Sequence, residues 1–548
     1  MNKKSLIILG IIVLIAATLR LWDLGKVPIS PDWDEAALGY NAYSILHTGR
    51  DEYGKFLPIV LRSFDDYKPA LYAYFSIPAV ALFGLNTLAV RFPSALFGVV
   101  AVLGTFFLVK ELFKRNDLAL LSSFLLAISP WHIQFSRIAF ESNVGLAFNI
   151  FSALFFLKGL KKPWFLLLSA SLMAVNIYVY QSEKVFTPLL LLVLVLIYRK
   201  ELFSLPKKYL IISVLALVLI AVPMISYTFT NTNALERAKG VSVFSQSSQL
   251  LEENSKKLLE DKKNHDYLGL VLDNRRIVFA KTVIQGYLSH YDLNWLFVKG
   301  DIARHHAPNM GLLYLFEFPF ILLGIYKLIF GDFDKKTKLF IFSWFLIAPI
   351  PASITSGVPH AVRTLNFLPT FQIFTALGII ALISFVSSIK YQVLSIKIKY
   401  LIFSLCILFF IFNLLYYLNQ YFVQQNYFNA SEWQYGYAKV IPQIQKIEKN
   451  YKKIVVSNQP PMDQSYMFFL FYLKYPPGLY QKEAQNASGG FRENHIFGKF
   501  EFRPINWSED SGKNNTLFVG RPSDFPPEVN IIGTVFYPNG EKAIVLTK

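Results

Sequence analysis

The sequence predicts a polytopic α-helical membrane protein, with about eleven transmembrane helices and a small C-terminal α/β domain outside the bilayer. Three observations lead there. Of 548 residues, 54% are hydrophobic and only 16% charged, and the mean hydropathy is positive at +0.39, more apolar surface than a soluble core can hide. Apolar stretches long enough to cross a bilayer recur along the chain. The basic residues behind the net charge of +18 sit at the ends of those stretches instead of on one exposed face, which reads as membrane topology and excludes nucleic acid as a partner.

The first stretch, near 5–21, follows Lys3 and Lys4. It resembles a signal peptide, but Leu19-Arg20-Leu21-Trp22 stands where a small-residue cleavage site belongs, so it is read as an uncleaved helix. Further spans fall near 90–112, 117–136, 143–160, 163–180, 185–198, 208–226, 310–330, 338–354, 364–387 and 400–418. The loops 110–115, 158–162, 199–208, 327–338 and 390–399 are basic and therefore cytoplasmic, as is the N-terminus. The apolar run 69–85 is read as an interfacial or re-entrant helix, because a full crossing there would turn the 110–115 loop outward. The non-cytoplasmic side then receives an outer loop at 22–89, a turn around Glu141, a long loop at 226–309 and the tail.

Within the tail, strand-like runs at 453–457, 516–520 and 543–546 alternate with turns such as Pro460-Pro461 and Pro538-Asn539-Gly540. Two domains follow: a transmembrane domain at 1–418 and an α/β domain at 419–548. Sequons beginning at Asn429, Asn486, Asn506 and Asn514 lie in that tail, where an outside location permits glycosylation. The single cysteine, Cys406, lies inside an apolar run and rules out a disulfide framework.

Chemistry concentrates at the outer helix ends. Pro31-Asp32-Trp33-Asp34-Glu35 crowds three carboxylates beside the membrane, which suits a proton acceptor; the same residues also read as a helix start, with Asp32 or Asp34 as N-cap. Asp65-Asp66-Tyr67-Lys68-Pro69 sets an ammonium beside two acids, fit for a phosphate or for snorkelling to lipid headgroups. Arg137 and Glu141 are spaced as an i,i+4 pair at the end of a span. Tyr180-Gln181-Ser182-Glu183-Lys184 adds a lysine at a buried edge, and Pro359-His360-Ala361-Val362-Arg363 adds a guanidinium that can grip a phosphate with two parallel hydrogen bonds. Asp34, Lys68, Glu141, Lys184 and Arg363 all fall on one side under a topology set by the cytoplasmic lysines. Acids and cations facing one leaflet suit a reaction on a lipid-linked phosphate.

These residues resemble the protein O-mannosyltransferase and aminoarabinose transferase group of GT-C glycosyltransferases: Asp34-Glu35 in the first outer loop, Tyr67-Lys68-Pro69 before a re-entrant helix, Ser136-Arg137 with Glu141, and the 359–363 motif before a late helix. The resemblance implies a polyprenyl-phosphate sugar as donor, a hydroxyl-bearing acceptor on protein, lipid or envelope glycan, and direct displacement with inversion. It implies Asp34 as catalytic base supported by Glu35. It places Glu141, as a further catalytic acid, where the family usually has Asp, and Lys68, Arg137, Lys184, His360 and Arg363 around the donor phosphate. The Trp-Trp-Asp signature of oligosaccharyltransferases is absent. A divalent metal is compatible with this chemistry, with Asp65, Asp66, His305, His306 and His360 as ligand candidates, although Arg304-His305-His306 also reads as a solvated loop. The alternative function for the same composition is a polytopic transporter or lipid flippase, which would show two related halves and mid-membrane charges.

Overall fold

The computed structural model describes residues 2–64, 66–231, 240, 242–244, 248–389, 396–483 and 494–548, with only the backbone described at 66 and 248–250. All eleven predicted spans coincide with helices, but their lengths differ. Among the described residues, six are long and apolar enough to cross a membrane: Lys3–Leu21, Thr87–Phe113, Ser142–Gly159, Lys207–Thr230, Leu365–Ser388 and Ile396–Phe428. Asn116–Ile128 with Pro130–Ser136 makes a seventh if that pair, bent by 59°, is one span. The bend follows from Pro130, which lacks an N–H and disfavours helix at the residue before it.

Four predicted spans are helices of only 12 to 15 residues: Phe165–Asn176, Glu183–Ile197, Glu317–Phe330 and Lys335–Ile347. At 1.5 Å per residue, 15 residues reach roughly 23 Å, less than the hydrocarbon thickness of about 30 Å. Among the described residues, six of the eleven expected spans, or seven with the bent pair, therefore have the length of a crossing helix. Leu71–Phe83, expected to be re-entrant, has 13 residues. Length does not separate it from those four, so its assignment rests on the basic loops.

Residue contacts divide the chain into two compact units. The first contains 1–16, 99–132 and 142–414, and is helical in its membrane portion. Its helices Glu317–Phe330 and Thr370–Ser388 pack along their length, and two glycines make this possible. A Cβ on Gly324 would overlap the carbonyl oxygen of Phe374, and one on Gly378 would overlap that of Phe320. Small residues let membrane helices approach to backbone contact. Gly378→Val is expected to force the pair apart and to lower the melting temperature in detergent by several degrees; an unchanged melting curve would contradict this packing.

The second unit contains 17–98, 133–141 and 415–548. Its first long helix, Trp33–Thr48, is followed by a two-stranded antiparallel ribbon of β1 (Val60–Ser63) and β2 (Asp66–Pro69). The tail supplies a six-stranded sheet from β3 (Lys453–Val456), β4 (His495–Phe497), β5 (Phe500–Phe502), β6 (Thr516–Gly520), β7 (Ile531–Phe536) and β8 (Lys542–Thr547), in the order β4-β5-β3-β6-β8-β7. The central strand β3 runs parallel to β5 and β6, and the outer pairings are antiparallel. The three strands read from the sequence are β3, β6 and β8.

This sheet shares its unit with the first outer loop, so the boundary expected at 418/419 does not isolate it. The apolar helix Ser465–Leu473 bridges the two. Phe469 lies 5.2 Å from the rings of both Phe500 and Phe502, while Phe471 occupies the space a Cβ on Gly39 would need. Polar contacts follow: Tyr40 donates to the Tyr475 carbonyl at 3.0 Å, the Ser30 and Tyr472 hydroxyls meet at 3.0 Å, and Gln481 Nε2 donates to Ser44 Oγ at 3.0 Å. The tail thus braces the helix that begins at Trp33.

Candidate active site

The helix Trp33–Thr48 starts on a capping box. Asp32 Oδ1 accepts from Glu35 N at 2.8 Å, and Glu35 Oε2 accepts from Asp32 N at 3.2 Å. The two readings of the acidic cluster are therefore divided among its members. Asp32 and Glu35 are fully buried, whereas the Asp34 side chain keeps 27% of its surface exposed and forms an ion pair with Lys68. Of the three carboxylates, only Asp34 is open to a substrate. Lys68 is delivered by the ribbon, opposite Leu61 and immediately before Pro69, a position that favours extended backbone.

Glu35 is held by Arg91, which the sequence reading did not single out. Arg91 Nε and Nη2 donate to Oε1 and Oε2, both at 2.8 Å, in a fork that suits guanidinium and carboxylate. The remaining donors reach the carbonyls of Leu24 at 3.2 Å, Pro28 at 2.7 Å and Ser30 at 2.7 Å. All five N–H donors of Arg91 are thus used. Glu35 Oε1 also accepts from Ala139 N at 2.8 Å. One buried pair pins the 24–30 loop, the helix start and the 139 segment together. The signal for it was an arginine inside an apolar stretch, costly unless paired.

Arg137 and Glu141 do not form the expected helical pair. Pro130–Ser136 ends before Arg137 and the next helix begins at Ser142; between them the chain opens, which lets the Ala139 N–H reach Glu35. Glu141 is buried at 5% exposure. The Arg137 guanidinium, expected at the donor phosphate, is buried and points at backbone: Nη1 donates to Leu19 O and Nη2 to Val27 O, both at 2.9 Å, with the Phe422 ring 4.8 Å away. Asp65 lies outside the described residues, as does Asn486, and only the backbone of Asp66 is described.

In the loop after the helix Trp33–Thr48, Glu52 is buried, accepting from Asn41 Nδ2 at 3.3 Å. Burial pushes its carboxyl up to about 8, and Asn41 offsets this only in part. The folded state therefore holds this proton more tightly than the unfolded chain, and stability falls as pH climbs from about 4.5 through about 8. Glu52→Gln keeps the acceptor and removes the titration. Its melting temperature is expected to match wild type near pH 5 and to exceed it near pH 9. A constant difference across that range would contradict the assignment.

The first unit holds the other expected residues. Lys184 lines an apolar cavity of about 330 Å³ with Met173, Leu217, Met224 and Phe229. Beside it Glu183, not singled out in the sequence, is fully buried. It accepts from Asn366 Nδ2 at 2.7 Å, Asn149 Nδ2 at 2.6 Å, and Asn176 Nδ2 and Thr187 Oγ1, each at 3.2 Å. Gly145 leaves room for it, since a Cβ there would lie 2.8 Å from the carboxyl. Arg363 Nη1 donates to Thr355 Oγ1 at 2.6 Å and to Ser356 O at 2.8 Å.

Asp301, His305 and His360 converge into a group that could hold a metal ion. Of the expected ligands, His305 and His360 are brought together. His306 instead sets Nδ1 2.7 Å from the Ala307 carbonyl. Asp301 was missed; its signal was the i,i+4 spacing to His305 in a loop read as solvated. Burial lowers both His305 and His360, with the Arg363 charge adding to the effect at His360. At Asp301 burial acts upward, but hydrogen bonds from His305 and the Ala361 N–H hold it below the usual carboxylate range.

The fold defines a class. The structure of ArnT from Cupriavidus metallidurans in the apo state superposes with a TM-score of 0.56 at 13% identity, covering 99% of this chain and 97% of that one. ArnT bound to undecaprenyl phosphate gives 0.54 at 11%, covering 100% and 98%. The archaeal oligosaccharyltransferase AglB from Archaeoglobus fulgidus, in complex with an inhibitory peptide and a dolichol-phosphate, gives 0.50 at 12%, covering 95% and 69%. The chain has the GT-C fold of these membrane glycosyltransferases. Within it, residues 67–227 match the family model described as dolichyl-phosphate-mannose-protein mannosyltransferase, a segment that includes Lys68, Arg91, Arg137, Glu141 and Lys184. No curated protein matches the chain.

Proposed function

We propose that this protein transfers a sugar from a polyprenyl-phosphate-linked donor to an acceptor hydroxyl at the non-cytoplasmic face of the membrane, with its N-terminus in the cytoplasm. The observation that carries the reading is the partly exposed Asp34 paired with Lys68 and seated by the Glu35–Arg91 fork, in a fold shared with ArnT bound to undecaprenyl phosphate. Asp34 takes the proton of the acceptor hydroxyl as its oxygen attacks the anomeric carbon. The bond from that carbon to the phosphate oxygen breaks, and polyprenyl phosphate departs with inversion at carbon. An ammonium donates in three directions, so Lys68 can bridge the base and the leaving phosphate, stabilising charge that grows in the transition state.

Glu35 and Arg137 then serve as positioning residues, because their polar atoms are turned toward protein. Membranes carrying the protein, incubated with a radiolabelled polyprenyl-phosphate sugar, are expected to move label from the lipid extract into a glycosylated product of inverted configuration. Retention of configuration would refute direct displacement by Asp34.

A further inference from the structure

We infer that Asp301, His305 and His360 form a zinc-class metal site that fixes the turn carrying Arg363. The inference goes beyond the transferase reading and does not depend on it. One ligand atom from each residue lies within 4.8 Å of the others. Ligand atoms around a tetrahedral ion with bonds of about 2.0–2.1 Å stand roughly 3.4 Å apart, so the set is close to the spacing an ion requires. One carboxylate and two imidazoles are a donor set suited to zinc, and three protein ligands leave a fourth position for water.

The geometry around His360 is built in advance. His360 N donates to His290 Nε2 at 3.1 Å, and His290 Nδ1 lies 2.7 Å from Gly286 O, which fixes the tautomer with the proton on Nδ1. The next N–H, of Ala361, donates to Asp301 Oδ2 at 2.6 Å. Both sides of the His360 backbone are therefore pinned, one of them by another member of the cluster. Asp301 is set in turn by Gly300, whose φ of 71° lies in the left-handed region and where a Cβ would sit 2.6 Å from the His306 ring.

A second observation points to a ligand. His360 Nδ1 is shielded from solvent and makes no hydrogen bond among the described residues. A buried polar atom left in that state is destabilising, and a bound cation satisfies it. On binding, the ion takes the place of the hydrogen between Asp301 Oδ2 and His305 Nδ1, now 2.9 Å apart, and that proton leaves to solvent. Two segments far apart in sequence, 301–305 and 357–363, are then tied by one ion three residues before Arg363.

The test is metal content of the full-length protein purified in detergent, loaded with zinc and freed of excess by gel filtration. Wild type is expected to retain one zinc per chain, His305→Ala with His360→Ala to fall to background, and His305→Cys to keep the ion. Chelation of the wild type is expected to lower its melting temperature and zinc to restore it, a readout that needs no variant. Substoichiometric zinc in the wild type, or full retention in the double alanine variant, would overturn the assignment.

Discussion

Asp34→Asn is expected to transfer sugar at a rate about 10²–10⁴ below wild type, the range general-base removal produces, with a fall in melting temperature far smaller than that of Arg91→Met. The substitution keeps shape and first-turn position in the helix Trp33–Thr48, and the helix start rests on Asp32 and Glu35, not on Asp34. What is lost is the negative charge and the capacity to take a proton. Lys68→Met tests the other half of the pair. It leaves the base but removes the cation from the departing phosphate, so the rate is expected to fall while acceptor affinity holds. Initial rates with labelled donor, alongside thermal unfolding of each variant, check both. An Asp34→Asn enzyme as fast as wild type would remove this residue from the chemistry.

Arg91→Met acts through the fold. Removing one partner of a buried ion pair leaves an uncompensated charge and costs about 3–5 kcal/mol. Here the loss strands the Glu35 carboxylate and also the carbonyls of Leu24, Pro28 and Ser30. The 24–30 loop and the 139 segment lose their common anchor, so the expected result is a lowered melting temperature in detergent with activity lost in parallel. Arg91→Lys is expected to rescue little, since a lysine has three donors and cannot form the fork. Glu35→Gln combined with Arg91→Met is expected to cost less than the sum of the singles, because no charge is left buried. Additive effects in that cycle would show that the two residues act independently.

The sequence carried the helical architecture because apolar runs and basic loops obey strong, local rules. Helix lengths were less legible: Phe165–Asn176 and Lys335–Ile347 lie in apolar text that continues past the point where turns end them. In the tail, β3, β6 and β8 are β-branched runs of four to six residues. The strands β4 and β5 have three residues each, too short to show alternation, and β7 is broken by a register shift at Gly533.

The site divides along the same line. Asp34 and Lys68 were readable because each sits in a short motif of its own. The Glu35–Arg91 fork joins residues 56 positions apart, and nothing local marks Arg91 as the partner. The expected Arg137–Glu141 pair failed because helical spacing was extended across a segment that leaves the helix to reach Glu35. Asp301 stayed hidden because its i,i+4 spacing to His305 lies in text that reads as a solvated loop, and the third member, His360, comes from a segment 59 positions from Asp301.

The most direct test of the central claim is reconstitution of the full chain in liposomes, with a polyprenyl-phosphate sugar labelled in both the sugar and the lipid. The account predicts polyprenyl phosphate appearing in step with acceptor-bound sugar, in a reaction that stops in Asp34→Asn. Donor that crosses the bilayer with its sugar still attached, without transfer, would contradict it and establish a transporter instead.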